Sequence, residues 1–194
     1  MYSSDQELIR RVKYEKDVEA FTLIFNKYKG RILGYIYRYI GDFHKAEDLT
    51  IHTFMKAYSN FWRYREKGTF SSWLYKIATN CAKSELRKRA IRKEISIDEN
   101  LSEEGNNTLA EIVTDTKNRP DYTARQRELK EYIYNIVSGM KEKHKTVILL
   151  CDIEGLSYEE AAKIIGISVT TVGTRLQRAR ALLHEILRKR GFRL

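Results

Sequence analysis

The sequence predicts an all-α protein of two small helical domains joined by a flexible acidic linker. Three observations predict it. Over most of the chain, apolar residues recur at spacings of three and four between residues suited to helix caps. Residues 94–116 break that pattern with seven acids and no Lys or Arg, around Gly105, Asn106 and Asn107. Residues 157–180, SYEEAAKIIGISVTTVGTRLQRAR, then place a helix start, a glycine stop and a second helix start in the order of a helix-turn-helix.

Each element has a local reason. Ser4 followed by Glu7 is a capping box that opens a first helix through Leu8, Ile9 and Val12. Asp17 caps a second, where Phe21, Ile24, Phe25, Tyr28, Ile32, Leu33, Tyr35, Ile36 and Ile40 form a broad apolar face closed by Gly41. Asp42 caps a third, with Ala46, Leu49, Phe54, Ala57, Tyr58 and Phe61 facing inward. A basic and aromatic loop follows at residues 61–70, broken by Gly68. Ser71 or Ser72 starts a fourth helix, whose buried face is Trp73, Leu74, Ile77, Ala78, Cys81 and Leu86. Residues 1–93 therefore read as one helical domain with its own core. Lys76, Asn80, Lys83, Ser84 and Arg87 fall along a second, polar side of the fourth helix. The loop aromatics serve either as core or as faces on which unstacked bases rest. Core suits Phe70 and Trp73 better, and Tyr64 and Arg65 stay open between the two.

Within the linker, residues 94–119, the acidic stretch 94–116 carries a local charge of −7 inside a chain of net charge +10, so the remaining 171 residues hold +17. Fully extended, its acidic stretch spans roughly 75 Å at about 3.3 Å per residue, about two turns of duplex DNA at 34–36 Å each. Pro120 marks entry to the second domain, residues 120–194. Asp121 caps a helix using Tyr122, Leu129, Tyr132, Ile133, Ile136 and Val137, and Gly139 breaks it. Residues 141–154 form the next, burying Val147, Ile148, Leu150 and Cys151. The capping box Ser157/Glu160 starts the helix of Ala161, Ala162, Ile164 and Ile165, and Gly166 stops it. Ser168 caps the last helix, in which Val172, Leu176, Ala179 and Leu183 recur as a buried stripe. Its opposite side presents Thr170, Thr171, Thr174, Gln177 and Arg178, the donor types that read base edges and phosphates in a major groove. A small αα-hairpin with a solvated basic face is the plainer alternative. Gly173 costs that helix ~1 kcal/mol relative to Ala while permitting close backbone approach.

The excess of basic residues favours polyanions, most simply nucleic acid. No stretch approaches the ~20 apolar residues of a membrane span, and the N-terminus has no apolar signal core, so a cytoplasmic protein is expected. Cys81 and Cys151 sit singly in apolar helical patterns, as core thiols of a reducing compartment would. His44, His52, His144 and His184 show no metal-ligand spacing, so neither metal nor cofactor is expected.

Both ends together resemble an extracytoplasmic-function (ECF) sigma factor, the small two-domain class of bacterial transcription initiation factors. The resemblance rests on blocks in order: residues 20–42 from Ala20-Phe21 to Ile40-Gly41-Asp42; Ala46-Glu47-Asp48-Leu49-Thr50 through Phe54-Met55-Lys56-Ala57-Tyr58; Phe70-Ser71-Ser72-Trp73-Leu74-Tyr75-Lys76-Ile77-Ala78-Thr79-Asn80; and residues 147–180, with Asp152-Ile153-Glu154-Gly155-Leu156-Ser157-Tyr158 and Arg178-Ala179-Arg180. It implies a polymerase core-binding helix at Asp48, Leu49, Ile51, His52, Phe54, Met55 and Lys56. It implies recognition of the −10 element by Arg63, Tyr64, Arg65, Lys67, Phe70, Trp73, Lys76, Asn80, Lys83, Ser84 and Arg87. The −35 element would fall to Ser168, Thr170, Thr171, Gly173, Thr174, Arg175, Gln177 and Arg178. The implied partners are RNA polymerase core, promoter DNA and an anti-sigma protein that clasps both domains, often from a membrane anchor. The chain departs from the family at Ile51-His52, where Gln-Glu is usual, at Gly173, where a basic residue is usual, and at Ser84, where Asp or Asn is usual.

Two other classes compete. A free-standing helix-turn-helix regulator would bind duplex DNA tightly without polymerase. A nuclease would need Glu47, Asp48 and His52 as its site, yet Glu47 and Asp48 point about 100° apart on a helix. No nucleophile–base pair and no phosphate-cradling glycine loop is present, so no enzyme is expected.

Overall fold

Two aspartates and two left-handed glycines set the helix boundaries in this chain. The computed structural model describes residues 5–65, 69–96 and 120–189. Asp17 accepts the Ala20 N–H at 3.0 Å and separates α1 (Asp5–Glu15) from α2 (Val18–Ile40). Gly41, at φ 75°, returns its N–H to the Tyr37 carbonyl and closes α2; Asp42 then accepts the Lys45 N–H at 2.9 Å and opens α3 (Phe43–Ser59). A 3-10 turn at Phe61–Arg63 leads towards α4 (Phe70–Ser96).

Thr69 caps α4, accepting the Ser72 N–H at 3.3 Å. The start therefore lies upstream of Ser71 and Ser72, because the hydroxyl of the residue just outside the helix is the one placed to meet the third amide. At its other end α4 runs to Ser96, past the expected boundary at 93. The Ser4 capping box, Lys67 and residues 97–119 of the acidic linker lie outside the described residues.

The second half begins with α5 (Pro120–Gly139), where Pro120 is itself the first helical residue, so Asp121 lies inside the first turn instead of capping it. α6 (Glu142–Val147) widens into a π-helical segment, Ile148–Ile153, where a single helix over 141–154 was expected. His144 through Leu150 are all buried, so the middle of this element is enclosed over seven consecutive residues, while Glu142, Lys143 and Asp152 near its ends remain exposed. α7 (Tyr158–Ile165) has both halves of its capping box formed, Ser157 with Glu160, and Gly166 at φ 79° ends it. Ser168 accepts the Thr171 N–H at 3.2 Å and starts α8 (Val169–Lys189).

In the first body Ile24, Ile32, Ile36, Phe54, Leu74 and Ala78 pack where α2, α3 and α4 meet. In the second, Val147, Leu149 and Leu150 meet Val172, Leu176 and Ala179 of α8. Cys81 is buried, and burial pushes the half-buried Cys151 thiol up to about 11, with Asp152 adding to the shift. The bodies touch: α2 lies against α5, and α4 against α7.

Asp42 carries both a helix cap and an ion pair, with Arg89 Nη2 at 2.8 Å. Burial raises its pKa, but the Lys45 N–H and the Arg89 guanidinium outweigh that and hold the carboxyl below its usual 3.8. A depressed folded-state pKa means stability that is present above the ordinary aspartate range and lost as pH falls through the lower folded value. Asp42→Ala is expected to cost about 1–2 kcal/mol at pH 7. In urea melts the deficit should shrink as pH drops below the ordinary aspartate range, and a deficit that stays constant to the lowest pH would remove Asp42 from this role.

Candidate nucleic-acid interface

The start of α8 carries the most complete polar face. Thr170, Thr174, Gln177 and Arg178 are exposed along one side of it, with Arg175 and Thr171 half-buried beside them. Val172, Leu176 and Ala179 point the other way into the core, so the helix cannot roll to hide its polar side. The Ser168 and Thr171 hydroxyls share a hydrogen bond at 2.7 Å, and Thr174 returns its hydroxyl to the Thr170 carbonyl at 3.0 Å. A cleft of about 340 Å³ opens here, and α6 contributes Lys143 and His144 to it alongside Thr170, Thr174, Arg175 and Arg178. Sequence reasoning did not select Lys143 or His144; the signal was the basic run at 141–145, whose side of α6 is fixed only by packing against α8. Arg180 is held by Asp152 through two bonds of 2.9 and 2.5 Å, which points it away from this face. A Cβ on Gly173 would lie 3.7 Å from the Tyr158 ring, ordinary contact, so packing does not demand glycine there.

α4 presents Lys76, Asn80, Ser84 and Arg87 to solvent, with Lys83 half-buried. Lys83 reaches Glu142 of the second body at 3.0 Å. In the loop before α4, Arg63 and Arg65 are exposed, but Tyr64 and Phe70 are interior, at 4% and 5% exposure. Their rings and those of Phe61 and the half-buried Trp73 form one cluster, with centroids 5.3 to 6.3 Å apart. Tyr64 and Phe70 as exposed base-stacking faces is therefore corrected: both rings are buried against aromatic partners and reach only the wall of a neighbouring cleft. The exposed ring is Trp62, at 67%, with the Arg63 guanidinium 4.7 Å from its centroid. A second cleft, about 430 Å³, lies beside this loop and includes Gln6, Tyr28, Thr69 and Ser71.

On α3 the candidates divide. Asp48, Ile51, His52, Met55 and Lys56 are exposed, whereas Leu49 and Phe54 are buried at 8% and 2% and cannot touch a partner. Both were expected at the contact surface; their positions put them on the side of α3 that packs on α2. Tyr58, expected inside, is 42% exposed and lies against Phe21 at 4.8 Å. Ile51, Met55 and Tyr58 thus form an exposed apolar stripe at spacings of four and three. Partial burial, with Lys56 and Lys88 nearby, lowers the His52 pKa and keeps that ring neutral at pH 7. The acids of α3 engage their own helix, Glu47 with His44 at 3.8 Å and Asp48 with Lys45 at 3.5 Å. Among the described residues no group of three or more His, Cys, Asp or Glu is placed to hold a metal ion, and no helix is long and apolar enough to cross a membrane.

A helical body with an apolar stripe and a basic helix, docked to a second body built around a helix-turn-helix, defines a two-part DNA-reading transcription factor. Comparison with known proteins places it further. Residues 24–91 match the family model Sigma-70 region 2, and residues 130–183 match Sigma-70, region 4. The chain is 32% identical to the RNA polymerase sigma-H factor of Pseudomonas aeruginosa over 186 residues, covering 94% of this chain and 93% of that protein. It is 35% identical to the ECF RNA polymerase sigma factor SigW of Bacillus subtilis over 182 residues, covering 92% and 96%. The fold is also that of CnrH, solved in complex with the cytosolic domain of CnrY, at a TM-score of 0.68 and 22% identity over 96% of this chain and 99% of that one. A sigma factor RpoE from Bartonella quintana, solved with the anti-sigma factor NepR, gives 0.67 and 23% over 88% and 98%. The chain belongs to the ECF family of RNA polymerase sigma factors. It is an alternative sigma factor, which directs RNA polymerase to promoters.

The division between interior and surface aromatics is measurable. Phe70→Ala is expected to cost about 3–5 kcal/mol, as deletion of a buried aromatic does. Trp62→Ala should change stability by less than about 0.5 kcal/mol. Chemical denaturation of the two variants reads both numbers, and equal losses would mean the ring assignment is wrong.

Proposed function

We propose a division of labour among the three faces. The exposed side of α3, Asp48, Ile51, His52, Met55 and Lys56 with Tyr58 beside them, docks on RNA polymerase core. The polar side of α4, Lys76, Asn80, Lys83, Ser84 and Arg87, with Arg63 and Arg65, takes the −10 element. The start of α8, Ser168, Thr170, Thr171, Gly173, Thr174, Arg175, Gln177 and Arg178, takes the −35 element, and Lys143 and His144 extend that surface. The domains are residues 1–93 and 120–194, with 94–119 between them. The observation that carries this reading is the α7–α8 pair, whose buried stripe leaves hydroxyls, an amide and a guanidinium side by side on the open face.

The chemistry favours this assignment on each face. Lys, Glu and Asp are depleted at the centre of protein interfaces, where aromatic residues and Met are enriched and the buried area is more apolar. Ile51, neutral His52 and Met55 suit such a contact, and the first two stand where the resemblance to the family leads one to expect Gln-Glu. Basic side chains on α4 suit a phosphate backbone, whose contacts release counterions and make binding weaken with salt. The protein works as a binding factor in the cytoplasm, without chemistry of its own. One solved neighbour was captured with the cytosolic domain of CnrY and another with the anti-sigma factor NepR, and an anti-sigma protein is the corresponding regulator proposed here.

Run-off transcription with purified core polymerase on a promoter library tests the whole reading. Templates should be chosen only when polymerase is present; selective, tight duplex binding by the protein alone would favour the free-standing regulator. Arg178→Ala should weaken recognition by about 1–3 kcal/mol and relax selectivity at one position of the −35 element. An unaltered template profile would take Arg178 off the reading face. Met55→Asp, placing a charge in the apolar stripe, should lower affinity for core at least tenfold while leaving thermal stability in place. Polymerase pull-down checks it, and full retention of binding would move the core contact elsewhere.

A further inference from the structure

The cleft between α6 and α8 contains a group that packing alone does not explain. Its rim carries Lys143 from α6 and Arg175 and Arg178 from α8, with Thr170, Thr171 and Thr174 beside them. The least exposed lining residue is His144, at 8%. Its Nδ1 is buried with no hydrogen-bond partner among the described residues. Such nitrogens are uncommon, because each forfeits the hydrogen bond that water would have given it.

The charge around that ring is one-sided. Among the described residues no acid lines the cleft. Glu142, on the same helix, reaches away to Lys83 at 3.0 Å, and Asp152 is taken by Arg180. Lys145 gives its Nζ to the Tyr39 carbonyl of α2 at 3.1 Å, and the Tyr39 hydroxyl is engaged by Thr146 at 2.7 Å. Lys143, Arg175 and Arg178 belong to no ion pair among the described residues, unlike Arg180 and Lys189 on the same α8. Three cations therefore face one small volume with nothing to neutralise them, and the first turn of α8 adds the positive end of its helix dipole.

The missing counterpart is an anion, and its chemistry is narrowed by what the hydroxyls already do. Thr171 shares its hydroxyl with Ser168, and Thr174 donates to the Thr170 carbonyl, so recognition falls mainly to charge. A base edge offers a pattern of donors and acceptors. A cleft presenting cationic donors suits a phosphate instead.

We propose that this cleft seats one backbone phosphate of the duplex, and that His144 takes up a proton as the phosphate enters. A neutral imidazole has one donor and one acceptor, whereas the imidazolium donates from both nitrogens. Beside three cations, a fourth positive charge at His144 gains an attractive partner only when the cleft holds an anion, so proton and phosphate enter together. Histidine side chains ordinarily titrate near 6.5, which puts this coupling within reach of physiological pH. Binding that raises the midpoint of a base is strengthened fully below the free midpoint, and the gain is lost as pH rises through the bound one. DNA affinity therefore increases as pH falls through the histidine range. That role rests on the −35 reading of α8 and adds a proton to it as a second ligand.

NMR of the four histidine rings in the full chain, titrated over about pH 5.5 to 8 with and without a saturating mixed-sequence duplex of about 20 base pairs, tests this. His44, His52 and His184 are exposed, so Gln substitutions assign their signals and leave His144 by elimination, with the buried site untouched. The His144 midpoint should rise by about one pH unit on adding duplex, which corresponds to about a tenfold difference in affinity between its two forms. At constant ionic strength, wild-type affinity for the duplex should accordingly fall about tenfold across that range, while His144→Gln should hold it within about twofold. His184→Gln should keep the wild-type profile. Inorganic phosphate provides the second arm: a rise with both ligands identifies the phosphate group as what the cleft recognises. A rise with inorganic phosphate alone overturns the DNA assignment, and a midpoint moved by neither ligand overturns the seat. A folded His144→Gln that keeps the wild-type pH profile removes His144 from the coupling. Run-off assays in which the protein chooses no template strike at the −35 reading instead, and leave the ring titration to judge the cleft alone.

Discussion

One helix has to satisfy three clients at once. α4 advances about 100° per residue, and its circumference is shared between the first core, the second body and solvent. Leu74, Ala78, Cys81 and Ala82 fill the interior. Thr69, Ser72, Tyr75 and Lys83 hold the second body. Lys76, Asn80, Ser84 and Arg87 remain outside. A small residue, a hydroxyl and a cation therefore alternate along α4 for geometric reasons, and its mixed character explains why it lacks one dominant apolar face. Moving any residue by one position would hand an apolar side chain to solvent or a cation to the core.

The local parts of this design could be read directly from the chain. Asp17, Asp42, Ser157 and Ser168 cap because a side-chain oxygen reaches amides within its own turn, and Gly41 and Gly166 stop helices because a left-handed residue is needed there. The polar side of α8 followed in the same way, from the spacing of Val172, Leu176 and Ala179. Non-local choices could not be read so. Trp62 and Tyr64 are two residues apart with similar neighbours, yet one is on the surface and the other inside, because the 3-10 turn redirects the chain between them. Leu49 and Phe54 look like contact residues in a motif but lie on the packed side of α3. Arg38 and Glu154 meet across 116 positions of sequence, and no spacing rule links them.

The departures from the family pattern now have different physical meanings. Ile51 and His52 act together: a hydrophobe beside a ring held neutral extends an apolar stripe through Met55 to Tyr58, so the face loses directional hydrogen bonds and gains area that water prefers to leave. At Gly173 nothing in the packing requires glycine, and the change removes a cation without compensating contact. Ser84 stays exposed on α4, shorter than the usual amide or acid, and keeps hydrogen-bonding capacity with less reach. Lys143 and His144 of α6 line the same cleft as Thr170, Arg175 and Arg178 of α8, so basic side chains from two helices stand beside the position that Gly173 leaves uncharged.

The two tryptophans are placed so unlike one another that the molecule carries its own optical gauge. Trp73 is half-buried within a ring cluster of Phe61, Tyr64 and Phe70, whereas Trp62 stands in solvent under a guanidinium. Indole emission is set by the polarity around the ring, so the surface indole supplies a red-shifted, quenchable band and the interior one a steady blue background. Whatever settles over the loop between α3 and α4 changes the first band and spares the second, and no dye need be attached to watch it happen.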